Sequence, residues 1–102
     1  MKKLALVVVS LVFLAGQFGG KVRKLEVGMA RTEVVELLGR PDGVRSFQNT
    51  EALTYANRRI SGFGWDRADY VVVLTDGRVS EYGPGTIRQV DPNTGMFIFV
   101  PL

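Results

Sequence analysis

Cysteine and histidine are both missing from the 102 residues. The first absence excludes disulfides, thiolate nucleophiles and cysteine-ligated zinc. The second removes the side chain that titrates nearest neutral pH and the commonest metal ligand. Neither a phosphate-cradling P-loop nor a dinucleotide-binding glycine fingerprint occurs. Glu33 and Glu36 stand three apart on a face that reads as solvated, a place for ion pairs and not for acid–base chemistry. No catalytic residue, metal or cofactor is therefore expected, and the chain is not expected to be an enzyme. Charge of one sign is also scarce. Thirteen basic residues face ten acidic ones, and two of the basic residues, Lys2 and Lys3, lie at the extreme N-terminus. The remainder is nearly neutral, so no nucleic-acid surface is expected.

What is present begins with Lys2-Lys3, followed by an apolar run from Leu4 to Ala15 broken only by Ser10 and closed by Gly16-Gln17-Phe18-Gly19-Gly20. A charged start, an apolar core and a small-residue exit are the parts of a secretory signal. The run is short for a membrane span of about 20 residues. Residues 1–20 are expected to be a signal peptide or membrane anchor, and 21–102 a single domain. Leu14-Ala15-Gly16 resembles the front of a bacterial lipobox, but Gln17 stands where the lipid-accepting cysteine would be. No lipidation is expected there. Lys21, Arg23 and Lys24 follow, either as a solvated linker or as a patch drawn to anionic lipid at about 1 kcal/mol per charge.

The clearest helical signal runs from Leu25 to Pro41. Val34, Leu37 and Leu38 share one face, with Val35 on its border, while Arg31, Thr32, Glu33 and Glu36 point outward. Gly39 suits a helix end and Pro41 blocks continuation. Asp42-Gly43 turns the chain, and Val44–Thr50 fits no period clearly. Leu53 and Tyr55 then alternate with Thr54 and Ala56, the period of a half-buried strand. Tyr70–Thr75 is apolar on both faces and suits the middle of a sheet. Asp76-Gly77 predicts a hairpin, with Arg78–Tyr82 as the return strand. Gly83-Pro84-Gly85 is expected to stop that strand. Thr86–Val90 and Met96–Val100 form a last pair around the turn Asp91–Gly95. The pattern as a whole is α+β, with helix packed on one face of an antiparallel sheet.

The stretch from Gly28 to Pro41 resembles the signature of the SmpA/OmlA family, the BamE-like small outer-membrane lipoproteins. Gly28-Met29 leads into a helix carrying Val34 and Leu38, closed by Gly39-x-Pro41. The Tyr55 strand and the Asp76-Gly77-Arg78-Val79 hairpin fall where the family's strands lie. Ala30 replaces the capping Ser or Thr, and Leu53 stands where an aromatic residue is frequent. The resemblance implies an N-terminal helix pair packed on a three- to four-stranded antiparallel meander. It also implies an accessory role in outer-membrane assembly or envelope integrity. The partners would be a membrane protein of the cell envelope and anionic phospholipid, and the location the periplasm, attached to the outer membrane or retained by an N-terminal anchor. A secreted binding or inhibitor domain, resembling β-lactamase inhibitory proteins, is the alternative for so small a helix-plus-sheet unit.

Two segments stand out as binding candidates. Ser61-Gly62-Phe63-Gly64-Trp65-Asp66 joins two strands and sets Phe63 and the single tryptophan, Trp65, between glycines and beside Arg58, Arg59 and Arg67. Such a loop suits lipid headgroups or a protein partner; alternatively its aromatics fold back over the sheet. Met96–Val100 either offers an edge to a partner strand or completes its own sheet.

Overall fold

The computed structural model describes residues 18–59 and 67–102. It opens with a one-turn helix α1 (Phe18–Lys21) that runs into a 3-10 turn (Val22–Lys24), followed by helix α2 (Arg31–Leu38). Five strands follow: β1 (Gly43–Phe47), β2 (Thr50–Arg59), β3 (Arg67–Thr75), β4 (Arg78–Asp91) and β5 (Met96–Pro101). They form one antiparallel meander in chain order. The α+β class and the helix pair are as the sequence suggests, but the strand count is five, not three to four. The stretch after Asp42-Gly43, which showed no clear period, pairs as β1 with Val44 opposite Leu53 and Phe47 opposite Thr50.

α2 is fixed by two buried residues four apart, Val34 and Leu38, which meet Leu53, Tyr55 and Leu74 on the sheet. Its N-terminus lacks a capping hydroxyl because Ala30 holds the cap position. Two neighbouring N–H groups find other acceptors. Glu33 reaches back to accept the Ala30 N–H at 3.3 Å, and the Arg31 N–H donates to the Gly77 carbonyl in the β3–β4 turn at 3.3 Å. Gly28 and Met29 meanwhile exchange backbone bonds with Val79, each 2.8 Å long. The helix entry is thus built as a short ladder against β4. The exit is built on Gly39, whose φ of 89° is open to glycine at little cost, and whose N–H returns to Val35 at 2.8 Å.

β3 is buried on both faces from Tyr70 through Leu74. One face carries Tyr70, Val72 and Leu74 under the helices. The other carries Val71 and Val73, joined by Ala52 and covered by Phe97 with Ile87 and Phe99 at its margin. That second cover exists because β4 does not end at Gly83-Pro84-Gly85, as the sequence suggests, but passes through it and continues to Asp91. Gly83 and Gly85 both adopt φ of 155°, so the strand bends and carries the β4–β5 hairpin across the second face. A Cβ on Gly85 would collide with the Val100 carbonyl and lie 2.9 Å from both Phe99 and Pro101.

Gly85→Ala is therefore expected to lower stability by about 1–3 kcal/mol through overpacking against β5. Gly43→Ala, where the nearest atom is Thr54 Cβ at 3.8 Å, is expected to cost well under that. Urea denaturation of the two variants reads the difference; equal stability would contradict the close approach at Gly85.

Candidate functional site

Three of the residues singled out for binding lie at one end of the sheet. β2 and β3 run to this end with Arg58 opposite Ala68 and Arg59 opposite Arg67. Phe63 and Trp65 lie outside the described residues. A register shift between Tyr55 and Arg58, with Asn57 at φ 50°, turns the strand here. Asp69 accepts the Asn57 N–H at 2.9 Å and steadies the bulge.

Arg58 is the most engaged of the three arginines. It pairs with Asp42 at 3.1 Å, and its guanidinium lies 5.8 Å from the ring centroids of both Phe18 and Tyr55. Arg59 and Arg67 are exposed; Arg67 donates to the Asn57 carbonyl at 3.2 Å. Two like charges directly opposite on neighbouring strands repel. The end of the sheet therefore holds positive charge at an electrostatic cost.

Beneath the arginines lies an aromatic floor. Phe18 contacts Tyr55 at 5.5 Å and Tyr70 edge-on at 5.6 Å between centroids. Tyr55 is fully buried, and its hydroxyl donates to the Gly39 carbonyl at 2.8 Å, tying the exit of α2 to the sheet. Burial pushes the ionisation of Tyr55 and of Tyr70 up to about 12. Phe18 was not among the sequence candidates, because it reads as part of the apolar leader's exit. The signal that could have found it is the pair Tyr55 and Tyr70, which lie opposite each other in register and leave room for a third ring.

The residues of the Gly28–Pro41 signature occupy the opposite role. Met29 packs at the edge of the core, Val34 and Leu38 fill it, and Gly28 takes φ of 96° to enter the ladder with Val79. Gly39 and Pro41 end the helix and start the turn. They shape the helix–sheet unit and present no polar group to a ligand. A shallow groove of about 460 Å³ opens on the far face between Val44, Arg45, Thr54, Asp69 and Ile87. Among the described residues, no cluster of three or more carboxylates stands close enough to hold a metal ion, and no helix is long and apolar enough to cross a membrane.

Comparison with known proteins gives one match. The family model for the outer membrane protein assembly factor BamE domain covers residues 20–83, which takes in the second half of α1, all of α2 and β1 to β3, and β4 as far as its bend. No curated protein and no solved structure matches the chain.

Two outcomes follow from the aromatic floor. Because the folded state raises the ionisation of Tyr55 and Tyr70 above the ordinary value near 10, it holds their protons more tightly than the unfolded chain. Their contribution to stability is complete below pH 10 and is lost as pH rises toward about 12. Ultraviolet titration should show both tyrosines ionising late, together with alkaline unfolding. Arg58→Ala, by contrast, removes a partly exposed ion pair and should cost under about 1 kcal/mol in thermal denaturation.

Proposed function

Because the chain belongs to the BamE domain family of outer membrane protein assembly factors, we propose that it is a non-enzymatic accessory of outer-membrane assembly. It would act in the periplasm, through contacts with a membrane protein of the envelope and with anionic phospholipid. The carrying observation is the extent of the match, which spans residues 20–83 and so α2, β1 to β3 and the start of β4. In this reading residues 1–20 are the export signal or anchor and the rest is one domain.

The arginine end is the side that would meet phospholipid. α1 leads directly from the apolar N-terminal segment, and Phe18 is seated on Tyr55 and Tyr70 beside Arg58. A chain held to a membrane by residues before Phe18 thus leaves that membrane next to Arg58, Arg59 and Arg67. The repulsion between Arg59 and Arg67 supports the same orientation, since a phosphate oxygen shared between opposed guanidinium groups relieves it. Lys21 and Arg23, in the adjoining turns, add to the positive field. Phe63 and Trp65, between these arginines in sequence, complete the set of candidates.

Vesicle flotation tests the lipid contact. Full-length protein should bind vesicles containing phosphatidylglycerol more tightly than neutral phosphatidylcholine vesicles, and Arg59→Glu with Arg67→Glu should remove roughly tenfold or more of that preference. Equal binding to both vesicle types would overturn it. Fractionation of cells with intact-mass analysis tests the location: full-length protein with the envelope membranes is expected, and a shortened soluble form would instead favour the secreted binder.

A further inference from the structure

β5 lies beyond the residues that match the family and is apolar on both faces, while β4 sets Arg88 opposite Ile98. Phe97 and Phe99 point inward onto the sheet. On the other face Met96, Ile98 and Val100 are 43%, 46% and 36% exposed, beside Val90 at 52%. Strands apolar on both faces are ordinarily covered on both. β5 is also the last strand of the sheet, so no described strand pairs with its outer side.

Natural edge strands are guarded by charge, by brevity or by proline. β1, the other edge, has five residues with Arg45 at its centre. Pairing of β1 with its own copy about that centre would set Arg45 against Arg45, which is unfavourable. β5 has six residues and no charge, and its one guard is Pro101 at the end. Of the two edges, only β5 is electrostatically compatible with itself.

The backbone sets which groups such a pairing can use. Leu102 donates its N–H to the Pro84 carbonyl at 3.0 Å, so alternation along an antiparallel strand turns the polar groups of Ile98 and Val100 toward β4. Those of Phe97 and Phe99 then face the open side. A two-fold axis at Ile98 lets Phe97 of each copy exchange both backbone bonds with Phe99 of the other. Ile98 meets Ile98, and Met96 lies across from Val100, in one continuous aliphatic row. Pro101, with no N–H, ends the ladder.

We propose that β5 is a self-association edge, through which two copies of this chain join antiparallel, centred on Ile98, into one continuous sheet. The contact is small beside the roughly 1,200 Å² at which stable interfaces begin, so the dimer is reversible and concentration-dependent. The inference is independent of the lipid contact, which lies at the β2–β3 end.

The absence of native cysteine makes the test direct. A central pair facing each other across two strands has Cα atoms about 4.5 Å apart, within the disulfide range of about 4.4–6.8 Å. Full-length Ile98→Cys in non-ionic detergent should therefore oxidise to a covalent dimer. Val90→Cys, equally exposed but not on the edge strand, should stay monomeric. In sedimentation, the unmodified chain should show a dimer at high concentration that Ile98→Lys abolishes while circular dichroism is unchanged. No cross-link at position 98, equal cross-linking at 90 and 98, or a dimer that survives Ile98→Lys would each overturn the proposal. The last outcome would mean that copies meet elsewhere.

Discussion

Everything in the architecture answers to one constraint: β3 is apolar on both sides, and the chain has no disulfide to hold a half-covered sheet together. A strand of this kind costs free energy wherever either face meets water, at about 25 cal/mol per Å². One face is relieved by Leu25, just after the 3-10 turn, and by Val34 and Leu38 of α2. The β4–β5 hairpin relieves the other through Phe97, Ile87 and Phe99. The sheet is thus the middle layer of three, and its two covers come from opposite ends of the chain. In a domain of this size there is little other core to share the burden.

The signature around α2 becomes intelligible on the same terms. Its apolar members are the helix's half of the first core, and its glycines handle the two places where the chain must leave helical geometry. Ala30 offers no capping hydroxyl, a loss that typically costs about 1 kcal/mol, while Glu33 and the Gly77 carbonyl accept the N–H groups of Ala30 and Arg31 at the same end. Leu53, where the family often carries an aromatic residue, is fully buried and fills its place without strain.

Much of this was legible before any coordinates. The helix face, the glycine–proline stop, the two-faced strand and the Asp76-Gly77 turn all depend on neighbours close in sequence and match the structure. The helix begins at Arg31, however, not Leu25, because Gly28 and Met29 pair with Val79. β1 was not legible because its middle residues Val44, Arg45 and Ser46 are exposed, so no alternation of burial marks it. The bend at Gly83-Pro84-Gly85 was read as a stop because both outcomes use the same residues. Whether a strand ends or turns there depends on whether a partner strand returns, and that lies in the tail. Of the candidate site, the three arginines could be named from sequence. Their aromatic floor could not, since Phe18 joins Tyr55 and Tyr70 only through tertiary packing.

The ladder between Gly28–Met29 and Val79 has a bearing on the order of folding. The Arg78 guanidinium and the Gly28 carbonyl that it holds are fifty positions apart, and the N–H of Arg31 waits for a carbonyl in the same distant turn. An eight-residue helix is too short to persist on its own in water. In synthesis from the N-terminus, the helical segment is therefore made long before the strand that locks it. Non-local closure of this kind is slow relative to local structure. The helical segment therefore stays without its lock until the β3–β4 hairpin is complete.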